Sequence, residues 1–396
     1  MRKIYSCIDI SSNNIKILVV EKLGEDFLVL AKDNYPCEGM IKGVVVSTEL
    51  FVKSLKKAID NFKKKTALKI DKALITIGLS NVTIREIEAS IKIISEDRVI
   101  AGTDITRLNR EIQKTQIDVK EQLILLNGER YILDDNVTVK DPKGKTADKL
   151  KLKAYIATTP KKYLYSLFNA FHDVNIDVID VCYNAVGDYQ NMIDSDIDNY
   201  NGIFLRIDSE TTSLSYFNKG VLKRCTTIDM GSSIIENELM KQFNISKKNA
   251  LMLKEGFAPV SKRYASENLK LRLSTINKGR LELNQAEVAR LSENKLIELI
   301  MLTQNEIKSL TKNKISYIII TGGITKAEGF DYILDNTYGY IAKRLIINEI
   351  GIREDMYSAS YGTIKYFDKK LRLKDREYSM LSDEEIEKFI NKKYNA

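Results

Sequence analysis

Three stretches of this chain combine residue types that could hold a phosphorylated ligand. In the first, an apolar run ends at Asp9, the polar tetrad Ser11, Ser12, Asn13 and Asn14 follows, and Lys16 stands just beyond. A hairpin turn of this kind can present backbone N–H groups to phosphate oxygens, while an acid closing the preceding strand can hold Mg2+ or its waters. On residue types alone it also reads as an ordinary polar hairpin. The second is another strand-turn-strand, Ile203 to Ile207 and Leu214 to Phe217. In the third, Thr321-Gly322-Gly323 closes the run Tyr317 to Ile320, and two glycines either let backbone approach a flat ligand or make a tight structural turn. The single histidine, His172, excludes His-pair zinc sites, HExxH proteases and zinc deaminases. It follows Leu167, Phe168 and Phe171 in a helix-like stretch, which makes it a structural residue rather than the base of a triad.

The elements that would position these residues fall into two cycles. Ile4 to Ile10, Ile15 to Val20 and Phe27 to Ala31 read as strands, and Gly39 to Gly43 as a turn. Thr48 to Lys65 reads as an amphipathic helix with Phe51, Leu55, Ala58, Ile59 and Phe62 on one face, and Ala73 to Ile77 as a buried strand. This β-β-β-helix-β order is the layout of one half of the actin, Hsp70 and sugar-kinase architecture. Alternating stretches at Val82 to Ile94, Gln122 to Leu126, Glu129 to Leu133 and Leu150 to Thr158 surround a helical segment from Asp104 to Thr115. They predict a small α+β insertion with its own core, Pro142-Lys143-Gly144 marking a turn. A helix from Lys161 to Asp173 and a strand from Val178 to Cys182 resume the first half. The second cycle opens near Tyr200-Asn201-Gly202 and adds a strand at Val221 to Thr226. A largely helical, Lys-rich region from Ser232 to Lys312 and the strand Ile315 to Ile320 follow.

With 396 residues, two or three domains are expected, and 44% hydrophobic with 29% charged residues and only 4 prolines is a globular balance. The formal charge of +8 favours acidic partners: anionic membrane, acidic peptide or phosphates. The lysines are dispersed among acids and no RNP, zinc-finger or KH signature occurs, so no nucleic-acid partner is expected. Cys7, Cys37, Cys182 and Cys225 lie far apart without a CxxC and read as buried thiols of a reducing compartment. Met1-Arg2-Lys3 leads straight into a strand, so no signal peptide is expected, and no apolar run approaches a membrane span.

Ile8-Asp9-Ile10-Ser11-Ser12-Asn13-Asn14-Ile15-Lys16 with Val20-Glu21 resembles the first phosphate loop of FtsA, the actin-like family of bacterial cell division. Gly39-Met40-Ile41-Lys42-Gly43-Val44-Val45 resembles a segment particular to that family, and Asp141-Pro142 with Gly144 falls where FtsA carries its extra subdomain. Ile319-Ile320-Thr321-Gly322-Gly323 is similar to the adenosine loop, and Tyr357, Ala359 and Gly362 fit the closing helix. The resemblance covers about residues 1 to 367. It implies an α/β, actin-like two-half fold with the family's 1C subdomain inserted in the first half. The parts would be residues 1–81, 158–199 and 345–378 (1A), 82–157 (1C), 200–230 and 306–344 (2A), 231–305 (2B) and a C-terminal helix over 379–396.

The implied cofactors are ATP and Mg2+, with Asp9 on the metal. The implied nucleotide site comprises Asp9, Ser11, Ser12, Asn13, Asn14, Lys16, Arg206, Asp208, Ser209, Thr211, Thr212, Gly231, Lys254, Thr321, Gly322 and Gly323. The second loop departs from the family: Arg206 stands where an acid belongs, and Asp208, Ser209 and Glu210 stand where glycines belong. Ser11 replaces a glycine, and Leu251 stands where Glu is typical, although Lys254 is kept. An anionic Asp208 or Glu210 beside a triphosphate repels it by about 1 to 4 kcal/mol at 4 Å. Strand alternation points Arg206 and Asp208 the same way, so Asp208 could replace the missing acid while Arg206 meets a phosphate. Equally, Arg206 could pair with Asp9 and take the electrostatic place of the metal.

At the C-terminus, Ser382-Asp383-Glu384-Glu385 is a capping box opening a helix, with Ile386, Phe389, Ile390 and Tyr394 sharing one face. The resemblance makes this helix the membrane anchor, and docking back on the body is the other reading of the same pattern. It also makes the C-terminal peptide of the tubulin-like FtsZ a partner, with Lys295 its contact, and self-assembly into filaments an expectation. The implied function is a division scaffold linking FtsZ filaments to the inner face of the cell membrane at the division site, with weak or absent hydrolysis. An ATP-hydrolysing enzyme or kinase of the same fold is the alternative, and an actin-like scaffold of pilus or envelope assembly a second.

Overall fold

The computed structural model describes residues 2–192, 196–277, 279–347, 349, 351–352 and 355–394; side chains at 196, 355, 388, 390 and 392–394 lie outside this set. The chain divides into one unit of residues 1–198, 218–224 and 347–396, and a second of 199–217 and 225–346.

In the first unit, β1 (Lys3–Ile10), β2 (Asn14–Leu23) and β3 (Asp26–Pro36) form an antiparallel meander. A two-residue pair, β4 (Met40–Ile41) and β5 (Val44–Val45), leads into α1 (Thr48–Thr66). Ser47 caps α1 by accepting from Leu50 N, and Phe51, Leu55, Ala58 and Phe62 are its buried stripe. Gly39 sits at φ +86°, and a Cβ there would lie 2.5 Å from Ser47 O. That pairing of backbones fixes how the short hairpin meets the helix. Next, β6 (Lys72–Ile77) joins parallel to β1.

The inserted segment contains β7 (Thr83–Lys92), α2 (Gly102–Gln116), β8 (Glu121–Leu133), β9 (Val137–Val139) and β10 (Lys149–Pro160), with sheet order β7-β10-β8-β9. Its own core gathers Ile87, Leu108, Ile112, Leu150, Leu152 and Ile156. The stretches Gln122 to Leu126 and Glu129 to Leu133 prove to be one strand, β8. Lys153 pairs with Arg130 and Ala154 with Gly128, so Glu129 is an extra residue, a bulge that shifts the alternation in mid-strand.

Then α3 (Lys161–Asp173), β11 (Asp177–Tyr183) and α4 (Asn184–Gln190) complete the sheet order β11-β6-β1-β2-β3. The second unit holds β12 (Asn201–Ile207), β13 (Thr212–Asn218) up to Phe217, the Cys225–Ile228 end of β14 (Val221–Ile228), α5 (Ser233–Phe243) and α6 (Lys247–Met252). After these come β15 (Lys270–Ser274), β16 (Arg280–Asn284), α7 (Gln285–Leu310), β17 (Tyr317–Thr321), α8 (Phe330–Tyr338) and β18 (Ala342–Arg344). Its sheet order is β14-β13-β12-β17-β18. The region read as largely helical contains the antiparallel ribbon β15-β16, because Leu271, Leu273, Leu281 and Leu283 alternate with polar residues at period two.

The chain returns to the first unit as α9 (Ser358–Leu373) and α10 (Asp383–Tyr394). α9 crosses α4 closely: a Cβ on Gly362 would lie 1.7 Å from Gly187 O, so both positions accept only glycine without a backbone shift. The Ser382 capping box forms, Ser382 Oγ accepting from Glu385 N and Glu385 Oε2 accepting from Ser382 N. Ile386 is fully buried and Phe389 is 6% exposed, so these two side chains face the protein. Ile390 and Tyr394, the other two of that stripe, are outside the described side chains. The segment before α10 is stitched to β1, with Met380 N donating to Ile4 O at 2.8 Å and Ile4 N donating to Ser379 Oγ at 3.1 Å.

Cys7, Cys37 and Cys182 are buried, while Cys225 is half-buried, a correction to the reading of four buried thiols. Cys225 lies on β14, an edge strand. His172, at the end of α3, has a side chain 92% exposed, so it is a surface residue and not part of the core. No helix among the described residues is long and apolar enough to cross a membrane.

Candidate functional site

The first turn joins β1 to β2. Ser11 N donates to Asn14 O at 3.0 Å, and Asn14 N donates back to Ser11 Oγ at 3.2 Å. The tip is braced from outside: Gly43 N donates to Ser12 Oγ, and Cys37 N donates to Asn13 O. The N–H groups of Ser12 and Asn13 have no acceptor among the described residues and remain available to an anion. Asp9 and Lys16 are directly opposed across the β1-β2 pair, and Lys16 Nζ lies 2.8 Å from Asp9 Oδ2 with both side chains buried. The acid read as a metal holder is thus already matched by an ammonium.

In the second unit the corresponding loop runs from Asp208 to Thr211. Asp208 N donates to Thr211 O, and the carbonyls of Asp208 and Ser209 accept from Ser232 N and Ser233 N. The loop therefore caps the first N–H groups of α5. A Cβ on Gly231 would lie 2.3 Å from Asp208 O, so the chain must be bare there for the loop to close. Thr212 Oγ1 donates to Met230 O at 2.8 Å. Arg206 is buried, with Nε 3.4 Å from Asp208 Oδ1, so these two side chains do share one face.

Thr321 pairs in register with Arg206 across β12 and β17. Gly322, at φ +119°, would place a Cβ 2.0 Å from Ile207 O, while a Cβ on Gly323 would meet nothing within 4 Å. Thr325 Oγ1 and N both donate to Gly322 O, closing the turn. Thr321 Oγ1 is buried without a hydrogen-bond partner. Lys254 lies in a π-helical turn, Leu253–Phe257, a form common at functional sites. Its ammonium donates to Ser232 Oγ at 3.1 Å and to Glu236 Oε1 at 2.6 Å, and the Lys254 and Glu236 side chains are buried. Arg206, Asp208, Ser209, Gly231, Thr321 and Gly322 thus gather at the carboxyl ends of β12 and β17, where ligands of open α/β sheets bind.

The sequence reading missed Glu236 and Ser232. Both sit on or beside the first turns of α5, four residues apart, and that spacing on an amphipathic helix was the available signal. Lys295, on α7, is held by Glu298 Oε2 at 2.8 Å and Glu238 Oε2 at 3.7 Å, and the hydrogen bond to Glu298 lifts its ammonium above the ordinary lysine range.

In the first unit, the open N–H groups of Ser12 and Asn13 have the chemistry to meet an anion such as phosphate. In the second unit, by itself, the bare backbone at Gly322 and Gly323 and the unpartnered Thr321 hydroxyl leave room and a donor for a flat polar ligand. Among the described residues no three His, Cys, Asp or Glu side chains converge, and Asp9 would have to exchange Lys16 for a cation.

The sheets, their hairpins and the inserted subdomain define an actin-like protein. Solved structures agree on the fold: the chain matches the PilM-PilN type IV pilus biogenesis complex (TM-score 0.60, 11% identity, 91% of this chain and 98% of that one). It also matches MreB5 of Spiroplasma citri bound to AMPPNP (TM-score 0.56, 10% identity, 93% and 97%). Residues 80–158 match the SHS2 domain inserted in FtsA. The cell division protein FtsA of Bacillus subtilis (strain 168) is 21% identical over 385 residues, 97% of this chain and 88% of its own length. That of Pseudomonas aeruginosa is 20% identical over 368 residues, 91% and 88%. Along nearly its whole length the chain is thus similar to FtsA, a family of actin-like cell division proteins, and it carries the SHS2 domain inserted in FtsA.

Proposed function

We propose that this chain is a division scaffold that binds an adenine nucleotide with slow or no hydrolysis, assembles with its own copies and links FtsZ filaments to the cytoplasmic membrane. The observation that carries the reading is the similarity to FtsA proteins along nearly the whole chain, with the SHS2 segment at the matching place. In this reading the parts would be 1–81, 158–199 and 345–378; 82–157; 200–230 and 306–344; 231–305; and 379–396. Ser11 to Asn14, Ser209, Thr211, Thr212 and Gly231 would serve the phosphates, and Thr321, Gly322 and Gly323 the nucleoside.

Three features support weak turnover. Arg206 occupies the place of an acid, Asp208 and Glu210 add negative charge where phosphate would lie, and Asp9 is engaged by Lys16. Phosphoryl transfer depends on metal and donors aimed at the transferred group, and each feature works against that arrangement. The ATP-hydrolysing enzyme remains the competing reading. Lys295 would meet an acidic FtsZ peptide by exchanging Glu298 and Glu238 for the peptide's carboxylates.

Calorimetry with ATP and Mg2+ on wild type and Arg206→Asp, followed by phosphate release, tests the nucleotide part. Binding without turnover by wild type is expected, and rapid hydrolysis would overturn it. Co-sedimentation with FtsZ, with and without its C-terminal peptide, tests the partner. Loss of the peptide should abolish binding, and Lys295→Glu should weaken it.

A further inference from the structure

The membrane role proposed above needs a surface, and the described apolar side of α10 is buried in the first unit. The distribution of charge marks another place. α1 packs against α3, and together they carry eight lysines against three carboxylates, Glu49, Asp60 and Asp173. These two helices alone therefore hold +5 of the chain's formal +8.

Not all of this charge needs a partner. Lys63, Lys64 and Lys65 end α1, where cations meet the negative end of the helix dipole, and Lys65 pairs with Asp33 at 2.8 Å. Lys53, Lys56 and Lys57 lie away from that end, and only two acids, Glu49 and Asp60, stand three or four residues from them on the helix. They stand in the middle of α1, are exposed, and make no ion pair among the described residues. Lys53 and Lys57 are also four residues apart, where like charges repel by a few tenths of a kcal/mol. Leu50, on the same stripe as Lys53 and Lys57, is 42% exposed, and Tyr165 on α3 is 57% exposed.

We infer that the α1-α3 face docks on a bilayer bearing anionic headgroups, with Lys53, Lys56 and Lys57 as the electrostatic contacts and Leu50 and Tyr165 in the interfacial layer. The inference rests on the membrane association proposed above. Lysines on flexible stems, spread along a helix about 28 Å long, suit a flat and diffuse field of charge. Bidentate recognition of a peptide carboxylate or a phosphodiester favours arginine, and neither helix contains one. A tyrosine with its ring at headgroup depth adds to the attachment.

The test is co-sedimentation of the full chain with phosphatidylglycerol–phosphatidylcholine vesicles and with phosphatidylcholine alone, for wild type and Lys53→Gln/Lys56→Gln/Lys57→Gln. Glutamine keeps helix propensity, so circular dichroism should not change. Wild type should bind the anionic vesicles in a salt-sensitive way and ignore the neutral ones. The triple variant should lose about a hundredfold in partitioning, at about fivefold per lysine. Equal binding by both proteins would overturn the assignment of this face while leaving membrane association standing. Failure of wild type on every vesicle would overturn both. Loss of binding to an oligoglutamate peptide by the variant, with vesicle binding unchanged, would make the face a peptide site and overturn the inference.

Discussion

Lys16 Nζ lies 2.8 Å from Asp9 Oδ2, across the first hairpin, with both side chains buried. An ammonium so placed does for Asp9 what a divalent cation would otherwise do. Removing one member of a buried ion pair costs about 3 kcal/mol or more, because the other charge stays desolvated. Lys16→Met should therefore lower stability by that order in urea denaturation. It should also make the melting temperature rise with Mg2+, since the released carboxylate gains a reason to bind it. A Mg2+ response equal to that of wild type would show that Asp9 takes no metal even when free.

Gly322→Ala tests the turn after β17. The residue has φ +119°, and the new Cβ would lie 2.0 Å from Ile207 O. Backbone strain of this kind costs about 1–3 kcal/mol before any clash is counted. Gly323→Ala, with nothing within 4 Å, should cost much less. Equal thermal shifts for the two variants would contradict the close approach.

Ile386→Ala distinguishes a docked α10 from a projecting one. Ile386 is fully buried, and truncating such a side chain typically costs about 2–5 kcal/mol. A helix that projects freely would leave the unfolding midpoint where it was.

The thiols give a pH prediction. Burial raises Cys182 and Cys225 to about 12, and burial with the Glu38 carboxylate nearby raises Cys37 to about 12. A thiol whose folded pKa exceeds its unfolded value near 9 contributes stability that is complete below pH 9. That contribution falls as pH rises towards 12, because only the unfolded chain then gains by ionising. Stability should decline over this window, and iodoacetamide at pH 8 should label the folded chain slowly. Prompt labelling at Cys37 or Cys182 would refute it.

How far the sequence spoke depended on whether the signal was local. Apolar runs closed by polar turns located β1, β2, β12 and β17, and alternation put Arg206 and Asp208 on one face. The Asp9 and Lys16 pairing was also countable, since residues flanking a short hairpin oppose one another. The Lys254 and Glu236 pair was not, because the two are brought together only when a π-helical turn packs beside α5. The Ser382 capping box and the stripe of Ile386 and Phe389 were legible as a helix and its apolar side. What that side faces was not, because lipid and protein interior ask for the same amphipathic pattern.

The bonds from Met380 N to Ile4 O and from Ile4 N to Ser379 Oγ tie the last segment of the chain to its first strand. A fluorescent protein joined close behind α10 would pull on that seam and report partly on its own effect. Val119, 86% exposed in the turn between α2 and β8, offers a gentler attachment point for imaging this protein.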